Sequence, residues 1–295
     1  MLDNNHPTVL IPFNFDFESK AALEFAAHHV QDYHYNIILL HVIEHSEKLA
    51  ELVVKDDVIN KVEKELRKLT KKIEESEHVN VKIVVRMGKP YKEILKVVAE
   101  LGADFLIMGT REREEKAITN PKLGSVAGKI IRYSPIPVIT FREGNLGYIK
   151  NILLPLNLNK RIQQKVNQAI ILGKAFDATI HVISIVWKKK EKISRRSLSL
   201  MDKTIKQLQK AGVKSVAEFI STQGGGKKMF LIEVLKYANQ HDIDLIMIMT
   251  QSEKPFVKYF MSASAYSIVR KSQTPVLTIT PKYIDNDTDD FSKHF

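Results

Sequence analysis

Glycines, a lysine and a few histidines are the residues whose types and spacing could do chemistry in this chain. Gly224-Gly225-Gly226-Lys227 has the look of a phosphate loop. Such a loop works because backbone without side chains presents N–H groups to phosphate, while a lysine adds charge. Here the glycine five positions before Gly226 is missing, and Lys228 stands where Ser or Thr belongs. The run reads as a flexible turn before a helix. His41-Val42-Ile43-Glu44-His45 spells the zinc pattern H-x-x-E-H. That pattern needs a helix, where positions four apart share a face. His41 lies in a strand-like run, where four residues span about 13 Å, so zinc is not expected. There is no G-x-S-x-G elbow, and none of the 10 histidines shows ligand spacing or a nucleophile partner. Cysteine is absent, which excludes disulfides, thiolate catalysis, iron–sulfur clusters and cysteine zinc sites. Trp187 closes a strand-like run and reads as core or interface.

With no catalytic constellation legible, the elements that could position a binding site carry the argument. The 295 residues suggest roughly two domains of about 150 residues each. Hydrophobic residues at 44% and charged residues at 27% make an ordinary globular mix. The longest apolar runs, such as residues 245–249, fall far short of the ~20 residues that span a bilayer. The first residues lack the basic start of a signal peptide, so a cytoplasmic protein with no membrane contact is the expectation. The net charge of +11 comes from 45 basic and 34 acidic residues. Most are interleaved, as in residues 57–77, the pattern of a solvated helix face with pairs three or four apart. Lys188-Lys189-Lys190-Glu191-Lys192, with Arg195-Arg196 after it, reads as an exposed loop, and nucleic acid is not an expected partner.

The chain repeats itself. Val9-Leu10-Ile11-Pro12-Phe13-Asn14-Phe15 matches Ile152-Leu153-Leu154-Pro155-Leu156-Asn157-Leu158, 143 residues later. Asp104-Phe105-Leu106-Ile107 matches Asp244-Leu245-Ile246-Met247 at an offset of 140, and Pro137 matches Pro275 at 138. Two copies of one unit, residues 1–146 and 147–284, account for this, with small deletions in the second. Residues 285–295 form a polar, acidic tail.

Within each copy the periods alternate. Residues 9–13 are a short apolar run that fits a buried strand. Ser19 can cap a helix through residue 33, with Leu23, Ala26, Ala27 and Val30 on one face. Residues 37–42, 81–85, 105–108 and 137–141 are further strands, and helices fall between them. Gly88 and Pro90 mark a turn, and Gly124 opens the last helix. Five strands alternating with four helices imply parallel strands, right-handed crossovers and a doubly wound α/β layer fold.

Leu10-Ile11-Pro12-Phe13-Asn14-Phe15, Leu39-Leu40-His41-Val42, Gly88-Lys89-Pro90, Ala103-Asp104-Phe105-Leu106-Ile107-Met108-Gly109-Thr110, Gly124-Ser125-Val126-Ala127 and Pro135-Ile136-Pro137-Val138 occur in that order. The set resembles the universal stress protein family. Because both halves are covered, the chain resembles its tandem form. The resemblance implies two units, each a five-stranded parallel sheet of order 3-2-1-4-5 flanked by helices. It also implies that the units pair through their last strands, residues 137–141 and 275–279, with a homodimer as a further expectation.

Many members of that family bind ATP through glycines after the fourth strand: glycine, two residues, glycine, nine residues, glycine, then Ser or Thr. The resemblance places an adenine-nucleotide site in the first unit, at Asn14, Val42, Gly109, Gly124 and Ser125. Three departures weigh against it. Glu112 takes the second glycine's place, Gly124-Ser125 comes two residues late, and Asn14 stands where the nucleotide binders usually have aspartate. A carboxylate about 4 Å from a phosphate costs up to ~4 kcal/mol at an effective dielectric near 20, whereas a helix N-terminus returns ~0.3–1 kcal/mol. Arg111, Arg113 or Lys116 would have to offset Glu112, Glu114 and Glu115. The second unit has lost more: Met249, Ser252 and Ser262-Ala263 replace the signature, and Asn157 again replaces the aspartate.

Two functional readings stay open. In one, placed slightly ahead, the chain is a stress-response interaction module whose nucleotide binding is at most degenerate and whose protein partner is not named by the sequence. In the other, the first unit alone holds ATP and reports it to a partner. A slow nucleotide hydrolase ranks last.

Overall fold

The computed structural model describes residues 6–33, 35–44, 55–77, 79–110, 123–141, 147–158, 162–187, 193–223, 225–250 and 262–281. The first half runs β1 (Thr8–Pro12), α1 (Phe17–Tyr33), β2 (Asn36–Glu44), α2 (Lys55–Glu77), β3 (Val81–Gly88), α3 (Pro90–Leu101), β4 (Phe105–Gly109), α4 (Ser125–Tyr133) and β5 (Val138–Phe141). The second half repeats the order: β6 (Asn151–Pro155), α5 (Gln163–Ala175), β7 (Thr179–Trp187), α6 (Arg195–Lys210), β8 (Ser215–Thr222), α7 (Lys227–Gln240), β9 (Leu245–Met249), α8 (Ala263–Lys271) and β10 (Val276–Ile279).

The inner strands read as unbroken apolar runs because both of their faces are buried. Val9 and Ile11 pack into one core and Leu10 into the other; Ile37 and Leu39 divide from Ile38 and Leu40 in the same way. Helices α1, α2, α5 and α6 cover the first face, and α3, α4, α7 and α8 the second. Each unit has the order β3-β2-β1-β4-β5 or its counterpart β8-β7-β6-β9-β10. Within a unit every strand pair is parallel.

The last strands join the units. β5 and β10 pair antiparallel, with Ile139 opposite Leu277, so the two five-stranded sheets merge into one sheet of ten strands. This is the pairing through the last strands, residues 137–141 and 275–279, that the resemblance implies. The seam is reciprocal. Thr140 Oγ1 donates to the Val276 carbonyl at 3.1 Å, and Thr278 Oγ1 donates to the Val138 carbonyl at 3.2 Å. Ile139 and Leu277 are fully buried beside these bonds, each contributing about 1.5–3 kcal/mol of hydrophobic stabilisation.

Other repeated residues do repeated jobs. Asp104 Oδ2 accepts the Thr8 N–H at 2.7 Å, and Asp244 Oδ2 accepts the Asn151 N–H at 2.8 Å, tying each fourth strand to the start of its first. Ser134 and Ser272 close the last helical turn by donating their N–H groups to the Ile130 and Ile268 carbonyls, and their hydroxyls donate to the Ile136 and Thr274 carbonyls across the proline turn. Two local expectations are corrected. α1 starts at Phe17, because Asp16 Oδ1 accepts the Ser19 N–H at 2.7 Å and takes the capping role assigned to Ser19. β3 runs on to Gly88 because its ladder with β2 continues to the pair Glu44 and Gly88. The acidic tail and the Lys188–Lys192 run lie outside the described residues.

Candidate functional site

In a doubly wound sheet, ligands bind beyond the carboxyl ends of the strands, where the winding reverses. In the first unit that point lies between β1 and β4, which are neighbours in the sheet. Asn14 follows β1, Val42 lies near the end of β2, Gly109 ends β4, and Gly124-Ser125 opens α4. The Gly124 N–H donates to the Thr110 carbonyl at 3.1 Å, which sets the start of α4 beside the end of β4. All five candidate residues therefore lie along one edge of the sheet. Glu112, Glu114, Glu115, Arg111, Arg113 and Lys116 lie outside the described residues.

The loop after β1 is tied to its own surroundings. His41 Nδ1 donates to the Phe13 carbonyl at 2.7 Å, and the Phe13 N–H donates to the Leu40 carbonyl at 2.8 Å. Phe15 sits at φ 66°, with its ring edge-on to Phe13 and to His41 at 5.1 Å each. A non-glycine residue in this left-handed region is strained. The Asn14 N–H donates to Ser19 Oγ at 3.4 Å, and Asn14 Oδ1 accepts the Asp16 N–H at 3.4 Å. The oxygen that would accept a hydrogen from an adenine amine is thus already turned to the loop. Val42 pairs with Arg86 on β3 and packs its side chain against the second core.

Gly109 is covered. A Cβ built there would lie 2.4 Å from Glu18 Cβ and 3.0 Å from Glu18 Cγ. Helix α1 therefore crosses β4 in contact with the glycine's backbone, and Glu18, only 6% exposed, lies over it. The glycine meets a packing need whether or not phosphate ever approaches. Sequence reasoning missed Glu18 because nothing in its spacing distinguishes it from an ordinary first-turn acid.

The second unit shows the alternative. Met249 occupies the position equivalent to Gly109 and is buried. Helix α5 begins at Gln163, whereas the 143-residue offset from Phe17 would start it at residue 160. A side chain in place of hydrogen at the strand's end accompanies a later helix start. The last helices also differ. Ser262 Oγ accepts the Ala265 N–H at 3.2 Å and caps α8, whereas Gly124 gives α4 no side-chain cap. Asn157 is exposed, and Ser252 lies outside the described residues.

The glycine-rich run has a structural account. A Cβ at Gly225 would meet the Trp187 ring at 2.7 Å, and Gly226 has φ 88° before α7. Trp187 donates from Nε1 to the Gln223 carbonyl at 3.0 Å. The loop is shaped by the indole; Gly224 lies outside the described residues. No group of three or more His, Asp or Glu that could hold a metal occurs among the described residues. His45 is not among them.

A titratable cluster sits at the opposite edge of the second unit. His181 contacts the Tyr237 hydroxyl through Nδ1 at 3.3 Å and Asn151 Oδ1 through Nε2 at 3.2 Å. His241 stacks on Tyr237 with ring centres 3.9 Å apart. Burial, then the neighbouring His241, pushes the His181 pKa below its ordinary value, while Asp244 pulls the other way. Burial and then Glu218 push the Tyr237 hydroxyl up. The same edge carries a cleft of about 430 Å³ lined by residues including Tyr148, Asn151, Phe176 and Lys214.

Comparison with known proteins places this architecture. The universal stress protein family model matches residues 6–142. A universal stress protein of Methanothermobacter thermautotrophicus is 30% identical over 110 residues, which cover 35% of this chain and 73% of that one. The chain belongs to the universal stress protein family. A universal stress protein A family protein of Schizosaccharomyces pombe is 32% identical over 107 residues, spanning 36% of this chain and only 35% of the yeast protein. A universal stress protein of Archaeoglobus fulgidus shares the fold at a TM-score of 0.70 and 20% identity, covering 92% of this chain and 98% of that one. That alignment takes in both units, as a tandem form of the family requires. No described helix is long and apolar enough to cross a membrane.

Proposed function

We propose that this universal stress protein is a cytoplasmic interaction module that works without a required nucleotide and without a reaction of its own. Its units are residues 1–146 and 147–284. The observation that carries the reading is Glu18 packed over Gly109. Where the family signature calls for bare backbone near phosphate, the first unit has the buried Glu18 side chain packed on Gly109 through Cβ and Cγ, and the second has Met249. The seam between β5 and β10 joins the two units in one continuous sheet, which on this reading is the platform for protein partners.

One feature favours the second reading, an adenine nucleotide held in the first unit alone. Helix α4 begins at Gly124 with no side-chain cap, so its first N–H groups are not claimed by a serine as those of α8 are. Calorimetry with ATP on the full chain separates the readings. The module reading expects no saturable heat. Tight binding that Gly124→Val abolishes would establish the nucleotide reading, with phosphate at Gly124 and Ser125.

A further inference from the structure

β3 and β8 are the two outer strands of the ten-stranded sheet. An outer strand leaves one row of N–H and C=O groups unpaired, and proteins usually blunt such an edge with charge or cover. β3 is blunted: Lys82 and Arg86 flank Val84, and Arg86 pairs with Glu100 at 3.3 Å. β8 is treated differently. Val216, Ala217 and Glu218 are exposed, Val216 by 46%, and Glu218 is the strand's one charge.

The backbone directions are fixed by the inner neighbour. The Ile180 N–H donates to the Lys214 carbonyl, and Ile180 pairs with Ser215. In a parallel ladder this turns the backbone groups of Lys214, Val216 and Glu218 inward to β7. Those of Ser215, Ala217 and Phe219 turn outward. The side chains of Lys214, Val216 and Glu218 project from one face at a spacing of two.

This stretch is complementary to itself. In an antiparallel pair centred on Val216, the outward groups of Ser215 bond to the partner's Ala217, and those of Ala217 to the partner's Ser215. Val216 meets the partner's Val216 at a non-hydrogen-bonded position, where Cα atoms approach to about 4.5 Å. Lys214 then faces the partner's Glu218, and Glu218 faces the partner's Lys214, on the same face. We infer that β8 is the edge through which two copies of this chain pair, antiparallel, with Val216 on the twofold axis. The occupant is a second copy because the charge pattern is its own complement. β3 has no such pattern: centred on Val84, it would set Lys82 against the partner's Arg86. Pairing β3 to β8 is heterologous and does not close. The ion pair of Lys214 with Asp177, at 3.6 Å and largely exposed, is weak enough to exchange. The inference goes beyond the module reading, since β8 lies at the far end of the sheet from β1 and β4 and pairs with or without nucleotide.

The chain has no cysteine, so V216C carries a single thiol per copy, placed on the axis. Mild oxidation of the full-length V216C protein is expected to give one reducible dimer band. S199C, exposed on α6, is expected to give only background. In sedimentation equilibrium the native chain is expected to self-associate. K214E or E218K should each weaken the dimer about tenfold by setting like charges opposite, and the K214E/E218K double variant should restore it. Circular dichroism checks that each variant is folded. A native chain that stays monomeric to its solubility limit, a dimer indifferent to both charge reversals, or equal cross-linking of V216C and S199C would overturn the proposal.

Discussion

Gly109→Ala isolates why a glycine ends β4. The added methyl carbon would stand 2.4 Å from Glu18 Cβ and 3.7 Å from Glu18 Cα. Ordinary carbon–carbon contacts lie near 3.5–4 Å. Relief therefore needs about 1 Å of movement by the first turn of α1, and rotation of the Glu18 side chain cannot supply it, because Cβ is fixed to the backbone. Ala21, Ala22 and Leu23 follow in the same helix and are buried, so the shift propagates into the core. Overpacking of this kind costs about 1–3 kcal/mol, and the stiffer unfolded chain returns up to ~1 kcal/mol. A net loss of about 1–2 kcal/mol is expected. Urea unfolding in nucleotide-free buffer reads it as a lower midpoint. Glu18→Ala keeps the offending carbon and should not rescue Gly109→Ala, whereas Glu18→Gly should rescue it in part, less the ~0.5–1 kcal/mol that glycine costs in a helix. An unchanged midpoint for Gly109→Ala, with loss of ATP binding instead, would refute the packing account and return the glycine to a ligand.

Three further outcomes follow from the geometry. Ser262→Ala should cost about 1 kcal/mol by uncapping α8, whereas Ser125→Ala should stay within ~0.5 kcal/mol because Gly124 holds the capping position of α4; urea midpoints compare them. Thr140→Val and Thr278→Val should each cost about 0.5–1.5 kcal/mol by leaving a buried seam carbonyl one bond short, measured in the same way. The folded-state pKa of His181 is lowered from 6.5, so below that value the unfolded chain binds a proton that the folded chain resists. Stability is then full above about pH 6.5 and falls as the pH drops toward the lowered folded value; a native-minus-His181→Gln difference in unfolding free energy that stays flat from about pH 7 to pH 5 would contradict this.

The repeat was legible because strands β1 and β6 are buried on both faces and so retain matching apolar runs in order. Pro137 and Pro275 were legible as a matched pair of the repeat, whereas the bonds of Ser134 and Ser272 that couple each helix stop to the next strand emerge only from the structure. The roles of single residues were harder to read. A glycine at Gly109 serves equally for phosphate approach and for helix packing, because both need a missing Cβ. Only the position of Glu18 distinguishes them. Asp16 and Ser19 are both good caps three residues apart, and the choice between them rests on where the strained Phe15 turns the chain. The merging of two sheets into one was implied by family resemblance and by the cost of bare apolar edges. The reciprocal threonine bonds that fix its register depend on two residues 138 positions apart.

On the proposed reading the folded module needs no nucleotide. Native mass spectrometry of the full-length protein, purified without added nucleotide, tests it most directly. The account predicts a mass equal to the polypeptide alone, in monomer and dimer, with no ATP, ADP or AMP released on denaturation. A stoichiometric adenine nucleotide retained through purification would contradict it.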